Sequence, residues 1–236
     1  MFRLDRRIAL ALLTLSLALG LTAIIQAANA CMPPELPQTA APSPSKLASS
    51  PNALKDALVV PGERIGSVTR TTTYQDLVKL FGKSRLSDRK VYGPEGIEVW
   101  PGTRVDLGPA QSFTVVWQDT KRAKPRHVRE LGTAWKTAEG IGTGTSLNHL
   151  QKQLGKFQIS GLDWDYGGAV MFHNTRLSRY VGKLTLVMQA NPQASDKYPS
   201  DYQAVAGDRL LSSTDPHWKS LGMHVGSMIV QLNPEL

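Results

Sequence analysis

Cysteine is almost absent from this sequence, since Cys31 is the single thiol among 236 residues. One cysteine cannot form an intrachain disulfide, and it cannot supply the several thiolates of a cysteine-based metal site. About 180 residues remain once an N-terminal segment and a spacer are set aside, and a chain of that length buries a stable core without covalent cross-links.

Familiar catalytic motifs are also missing. The sequence contains no HExxH pair for zinc and no GxSxG turn for a serine nucleophile. The histidines are scattered rather than paired at ligand spacing: His127, His149, His173, His217 and His224. We therefore predict no catalytic residue, no metal ligand and no cofactor, and we expect a protein that is not an enzyme.

The N-terminus has the three-part layout of a secretory signal. Residues 1–7 are short and basic, residues 8–26 are almost wholly apolar, and Ala27 to Ala30 supply small residues for cleavage. We predict a signal peptide over residues 1–30 and export from the cytoplasm. The alternative is an uncleaved anchoring helix, because the apolar run is nearly long enough to span a bilayer.

Two cleavage sites compete at the end of this segment. Ala28 and Ala30 suit ordinary signal peptidase, which would release a secreted protein. Cys31 follows at once, however, and the segment resembles the lipobox of bacterial lipoproteins. That resemblance implies lipidation of Cys31 by more than one acyl chain, which is sufficient for stable membrane anchoring. We expect a protein of the cell envelope, on the periplasmic or outer face.

Residues 31–61 are rich in proline, serine and alanine, so we predict a semi-extended linker there. The formal net charge of the chain is +8, which suits anionic neighbours such as lipid headgroups or wall polymers without selecting one. The densest basic run, residues 121–127, contains no interleaved aromatic residue and predicts a hairpin loop, with lipid contact as the alternative. We expect no nucleic-acid partner.

One helix pattern occurs twice. Residues 145–155 place Leu147, Leu150 and Leu154 at helical spacing, between a predicted N-cap at Thr145 and a C-terminal glycine, Gly155. Residues 72–82 repeat this pattern without a gap, ending at Gly82. We interpret the match as an internal duplication.

Strand patterns follow both helices. Alternation is clearest in residues 112–118 and 180–189, and Pro-Gly or Gly-Pro pairs separate the strands. We predict an α+β fold of two tandem units, each a short helix packed on an antiparallel β-meander. The first unit covers residues 62–132 and the second covers residues 133–236.

The most distinctive local composition is Asp163-Trp164-Asp165-Tyr166. If the stretch is extended, Asp163 and Asp165 share one face and the aromatic residues share the other. Three interpretations stay open: a β-turn, contact with a ligand or partner, and paired carboxylates of a glycosidase. The glycine-rich residues 139–144 do not end in GK[S/T], which favours a tight strand-to-helix turn over a phosphate loop.

Two resemblances rest on these motifs. The glycine, small-residue, helix and Leu-Gly pattern at Gly142, Gly144, Thr145, Leu154 and Gly155 resembles the SmpA/OmlA type of outer-membrane-assembly lipoproteins and the related β-lactamase-inhibitor-protein fold. That resemblance implies short helices packed on an antiparallel sheet, sometimes in tandem. A wider run also resembles an uncharacterised group of bacterial exported proteins without assigned activity: Trp135-Lys136-Thr137, Gly140-Ile141, Gly144-Thr145-Ser146, Asp163-Trp164-Asp165-Tyr166 and Gly168.

These observations favour a lipid-anchored, non-enzymatic envelope protein that binds a protein or a cell-wall component. Residues 163–166 are its predicted contact residues. One alternative is a hydrolase of an envelope glycan that uses Asp163 and Asp165. The other is an inhibitor that inserts loops near residues 163–166 into the cleft of another enzyme.

Overall fold

A computed structural model of the protein describes residues 56–93 and 96–234. The predicted signal peptide, Cys31 and the linker up to residue 55 lie outside the described residues. The α-helices are α1 Tyr74–Phe81, α2 Leu147–Leu154, α3 Ala194–Lys197 and α4 Pro199–Ala204. The strands are β1 Leu58–Val60, β2 Arg64–Ile65, β3 Val68–Thr69, β4 Leu86–Tyr92, β5 Val99–Val105, β6 Phe113–Trp117, β7 Pro125–Arg129, β8 Lys136–Thr137, β9 Gln158–Ser160, β10 Val170–Met171, β11 Leu184–Gln189, β12 Leu210–Ser212 and β13 His224–Gln231.

The fold is α+β, as predicted, and its largest sheet is antiparallel. That sheet has six strands in the order β11-β13-β7-β6-β5-β4. A four-stranded sheet, β3-β2-β1-β8, is antiparallel except where β1 runs parallel to β8. A three-stranded sheet, β10-β9-β12, is antiparallel throughout.

The core lies against one face of the six-stranded sheet. Trp117, Trp135 and Trp218 are fully buried, and each indole N–H donates a hydrogen bond, the first to the Thr103 hydroxyl and the others to backbone carbonyls. Satisfied indole groups allow large aromatic rings to fill the interior without an orphaned donor. The helices α1 and α2 contribute to this core through the apolar positions of the repeated pattern. These are Leu77 and Phe81 from α1, and Leu147, Leu150 and Leu154 from α2.

The two helix segments have the same local geometry. In each, the residue before the first helical one is the N-cap: Thr73 accepts from the Asp76 backbone N–H, and Ser146 accepts from the His149 N–H. The prediction that Thr145 is the N-cap was therefore wrong by one residue. The Thr145 hydroxyl instead accepts from the N–H of Gly142, three residues earlier, as Thr72 accepts from Thr69. Gly82 and Gly155 end the helices with φ of 83° and 84°.

Three segments were less clear in the sequence. Residues 65–71, whose composition suits a single strand, contribute to the β2–β3 hairpin instead. Residues 83–89, a polar stretch that suits a loop, are a 3₁₀ turn followed by β4, whose central residues Ser87 to Lys90 are exposed because β4 is an edge strand. Charged side chains suit an exposed edge, since they oppose pairing with another chain. Residues 191–202, predicted as a loop, contain α3 and part of α4.

The boundary between the two predicted units stays a prediction. The six-stranded sheet takes β4 to β7 from residues 62–132 and β11 and β13 from residues 133–236. The strands that follow α2 are divided between this sheet and the three-stranded one. β1, at the end of the predicted linker, pairs with β2 and β8, and its Val59 is buried. Among the described residues, no helix has both the length and the apolar character required to cross a bilayer.

Candidate functional site

The six-stranded sheet has an inner face on the core and an outer face that is partly open. Alternation along β11 shows the division, since Leu184, Leu186 and Met188 are buried in the core and Thr185 and Val187 point the other way. An antiparallel sheet of this kind can bury one face and present the other to a partner.

A groove with a volume of about 700 Å³ runs over the outer face, and we call it the outer groove. Volumes of a few hundred to about 1,000 Å³ are typical of ligand sites. The floor comes from four strands, with Trp100, His127, Arg129, Thr185, Ile229 and Gln231. One wall is the β4–β5 hairpin, with Tyr92 and Glu98, and the opposite wall carries Asp165 and Tyr166.

His127 is the most unusual residue of the outer groove. Its side chain is 5% exposed, and its Nε2 atom is buried without a hydrogen-bond partner. The pKa of His127 is lowered from its ordinary 6.5 to about 4, first by burial and then by the positive charges of Arg129 and Arg126. The imidazole is therefore neutral at pH 7, and one of its ring nitrogens is left without a partner. Buried polar atoms without partners are rare in folded proteins.

Arg129 and Arg126 place positive charge beside this histidine. Among the described residues, no carboxylate lies within ion-pairing distance of Arg129. Its Nη1 donates a long hydrogen bond of 3.5 Å to the backbone carbonyl of Tyr92. Arg126 stacks on Trp100, with its Cζ 4.5 Å from the ring centroid. The electrostatic character of the floor is thus basic, and it favours an anionic group.

Aromatic rings stand on the floor and on one wall of the outer groove. Trp100 lies on the floor, and Tyr166 is 49% exposed on the wall opposite the β4–β5 hairpin. Trp100 meets the edge of His127 at a centroid distance of 5.8 Å. Exposed large aromatic side chains in a concavity are typical of binding surfaces, because they bury much area at little entropic cost.

Residues 163–166 form a turn, so Asp163 and Asp165 do not share the face of an extended strand. Asp163 has φ of 63° and accepts a 2.8 Å hydrogen bond from the Tyr202 hydroxyl. Trp164 donates from its indole to the Gly161 carbonyl, and its ring meets Tyr166 edge-on at 5.5 Å. Of the four predicted contact residues, Asp165 and Tyr166 therefore lie in the outer groove.

Gly168 fixes this turn against the sheet. Its φ is 77°, and a Cβ at this position would lie 2.1 Å from the Met188 carbonyl oxygen, so only glycine fits. The Met188 N–H donates to the Gly168 carbonyl at 2.7 Å. The turn is thereby attached to β11, and it holds Tyr166 at the wall of the outer groove.

On the other half of the outer face, the charged side chains of Arg89 and Arg104 pair with Glu130. Glu130 Oε2 accepts from the Arg89 guanidinium at 2.9 Å and from the Thr114 hydroxyl at 2.6 Å, and it lies 3.6 Å from Arg104 Nη1. We call this group the Glu130 cluster. Thr114 lies directly between Arg104 and Arg129 in the sheet register, so the boundary with the outer groove is one strand wide.

A second cavity, of about 730 Å³, lies near the start of α2 and is lined by polar residues such as Asn148, Gln151 and Asp215. Asp215 Oδ1 is 2.8 Å from His217 Nδ1, an arrangement that orients a catalytic base. In the described part of the chain, however, no serine or threonine hydroxyl bonds to the other ring nitrogen of His217. The pair therefore lacks a nucleophile.

The sequence contains only a weak signal for the outer groove. His127 and Arg129 are two residues apart, so they share a face of any strand that includes them. Their partners on the floor come from β5, β11 and β13, up to about a hundred residues away along the chain, and no local pattern connects them. Residues 121–127 were interpreted as one basic run, although residues 125–127 belong to β7.

Comparisons with known proteins add little. No family model matches the chain, and no curated protein sequence matches it. The structure is similar to the crystal structure of the uncharacterised protein YfeY from Escherichia coli, with 13% sequence identity, a TM-score of 0.44, and coverage of 73% of this chain and 98% of that one. None of these comparisons confirms the resemblance to the SmpA/OmlA type.

Proposed function

We propose that the protein is an exported, lipid-anchored envelope protein that binds a protein or a cell-wall component through the outer groove. The observation that carries this proposal is the contrast on the floor of the groove. A buried histidine nitrogen has no partner there, beside a guanidinium that has no carboxylate partner among the described residues. Both are groups that a bound partner would satisfy.

Binding accounts for the site better than catalysis does. The hydrolase alternative requires two carboxylates that flank one bond. Asp163 is engaged by Tyr202, and Asp165 lies at the groove wall, so the two belong to different surroundings. Converting both to asparagine should leave the processing of envelope glycans unchanged, and a loss of processing would favour the hydrolase.

A photo-cross-linking amino acid at position 166 tests the proposal in living cells. We expect a cross-linked adduct to an envelope protein or a wall polymer, because Tyr166 stands at the wall of the outer groove. Leu210 is the matched control, since it is similarly exposed, at 53%, but lies on β12 outside the groove. Absence of an adduct at position 166, or equal adducts at both positions, would overturn the assignment of the groove.

The anchor needs its own experiment because Cys31 lies outside the described residues. Labelled palmitate should be incorporated into the wild-type protein and not into Cys31→Ser. Washing envelopes with high salt, which weakens ionic contacts, should release the Cys31→Ser protein and leave the wild-type protein in the membrane fraction. An unlabelled wild-type protein that is released freely would show that the protein is secreted rather than anchored.

A further inference from the structure

We infer that the outer groove binds a glycan strand that carries carboxylates, such as an acidic wall polysaccharide. This inference rests on the proposed function, because it names the partner of that same groove. Its geometric basis is the combination of an unpartnered His127 nitrogen, the Arg129 guanidinium without a carboxylate partner among the described residues, and an exposed aromatic ring, Tyr166, on one wall.

The floor accounts for the carboxylate. Arg129 lies on the floor with no carboxylate partner among the described residues, and its charge acts on His127. A guanidinium binds a carboxylate through two parallel charge-assisted hydrogen bonds, which are stronger than its bonds to the hydroxyls of a neutral sugar. Among the described residues, the acidic side chains that line the outer groove are Glu98 and Asp165, and both belong to the walls. The floor therefore has no carboxylate of its own among these residues, and an acidic ligand can pair with Arg129 there.

The His127 nitrogen accounts for a hydroxyl. A neutral imidazole has one N–H and one bare nitrogen, and Nε2 can be either of the two. A hydroxyl group donates and accepts, so it satisfies Nε2 in both tautomers. Sugar rings carry several hydroxyls at fixed angles. Because Nε2 is buried, a hydroxyl bonds to it only when neighbouring side chains move aside on binding, while a carboxylate pairs with Arg129.

One wall accounts for the sugar ring. Pyranose rings have an apolar face of C–H groups that packs on the face of an aromatic ring. Tyr166 contacts Trp164 only at an angle of 67°, so it is not stacked face to face, and about half of its surface is open. A sugar ring can therefore pack on Tyr166 at the wall, and neighbouring rings of the same strand can continue along the groove.

A peptide fits this surface less well. Peptides that add to a sheet bind at an edge, where backbone N–H and C=O groups are free. The outer groove lies on the face of the sheet, where the strands beneath it pair with one another, as β13 does with β7 and β11. Only side chains are offered there, and an extended peptide would leave its backbone groups without partners.

Calorimetric titration of the full-length Cys31→Ser protein with two sugars of equal length tests this inference. The acidic probe is a hexasaccharide of alternating N-acetylglucosamine and N-acetylmuramic acid with free lactyl carboxylates. The neutral probe is the hexasaccharide of N-acetylglucosamine. We expect the acidic sugar to bind at least about tenfold more tightly, as one additional charge-assisted pair implies. Equal affinities would overturn the inference.

Three variants locate the interaction. Arg129→Gln should lower the affinity for the acidic sugar about tenfold, to the level of the neutral one. Arg104→Gln, on the same face beside Thr114 but within the Glu130 cluster, should change it less than about twofold. Tyr166→Ala should weaken both sugars to a similar degree, because stacking does not depend on the carboxylate. Equal losses for Arg129→Gln and Arg104→Gln would contradict a specific carboxylate site.

The failure of this inference can be told apart from failure of the proposed function. If neither sugar binds while position 166 still cross-links a protein in cells, the glycan inference is wrong and the outer groove remains a protein-binding site. If neither sugar binds and position 166 gives no adduct, both proposals fall.

Discussion

The two halves of the outer sheet face use similar residues in opposite ways. In the Glu130 cluster, one carboxylate holds two guanidinium groups and a buried hydroxyl, so its polar groups have partners within the protein. In the outer groove, one strand away, Arg129 and the His127 nitrogen have no such partner among the described residues. The polar groups of the first half are satisfied within the protein, whereas those of the second are left for the partner that we propose.

This contrast has a cost in stability. An unpaired buried nitrogen costs free energy in the folded state, and such groups are rare in folded proteins. The Glu130 cluster demonstrates that the same sheet can provide partners for its charges. The open groups of the outer groove are therefore not a general property of this face.

The pH dependence of stability should show the largest difference between the halves. The folded-state pKa of His127 is about 4, below its ordinary 6.5, so the unfolded chain takes up this proton first as the pH falls. The free energy of unfolding should therefore decrease between pH 6.5 and pH 4, by up to about 3 kcal/mol from this group. The folded state begins to take up the proton only near pH 4, below which this contribution no longer changes.

His127→Phe, which does not titrate, provides the reference for that measurement. Urea denaturation at several pH values should give a flatter curve for the variant than for the wild type between pH 6.5 and pH 4. Carboxylates with lowered pKa, such as Asp215 and Glu139, act on both proteins alike and cancel in the difference. Parallel curves would contradict the buried, neutral state of His127.

Removing the centre of the satisfied half should have the next largest effect. Glu130→Ala leaves the buried Thr114 hydroxyl without its acceptor and two arginines without their carboxylate, so we expect a loss of about 2 kcal/mol in unfolding free energy. Glu98→Ala, at the exposed wall of the outer groove, should change stability by less than about 0.5 kcal/mol. Chemical denaturation at pH 7 measures both, and equal losses would remove the distinction.

Filling the unsatisfied position with an apolar ring should stabilise the protein. At pH 7, His127→Phe replaces a buried nitrogen that lacks a partner, and we expect a gain of about 1 kcal/mol. His149→Phe is the matched change, because a ring nitrogen of His149 lies 3.1 Å from the Glu139 carbonyl oxygen, and it should be neutral or destabilising. A loss of stability in His127→Phe would mean that the floor of the groove is packed for histidine itself.

The smallest effect should come from the groove wall. Tyr166 is about half exposed, and its ring meets Trp164 edge-on. Tyr166→Ala should therefore lower the unfolding free energy by less than about 1 kcal/mol. Thermal unfolding should show a nearly unchanged midpoint. A large drop would identify Tyr166 as a structural residue, and its role in binding would then need a milder variant such as Tyr166→Leu.

Local patterns in the sequence predicted α1, α2 and several strands, whereas α3 and α4 were not predicted. Leu77 and Phe81, and Leu150 and Leu154, recur at helical spacing and are buried in α1 and α2. The alternation of Leu184, Leu186 and Met188 correctly indicated β11. These signals work because each depends only on which face of a single element is apolar.

The outer groove could not be predicted in this way. It depends on the pairing of Val230 with Val128, about a hundred residues apart, which brings β13 and β11 beside β7. Residues 163–166 stood out by their composition. Whether each residue is held in the turn, as Asp163 is by Tyr202, or lies at the groove wall, as Tyr166 does, depends on elements distant in sequence. Non-local pairing of this kind leaves no periodic signal.

Binding to isolated envelopes tests the central claim most directly. Full-length Cys31→Ser protein, which cannot be lipid-anchored, is mixed with washed envelopes and centrifuged. Our account predicts that this protein sediments with the envelopes. The variant that also carries Arg129→Gln and Tyr166→Ala should stay folded and remain in the supernatant. The variant that also carries Arg104→Gln should sediment like the Cys31→Ser protein. Equal sedimentation of all three proteins would show that the outer groove does not bind the partner.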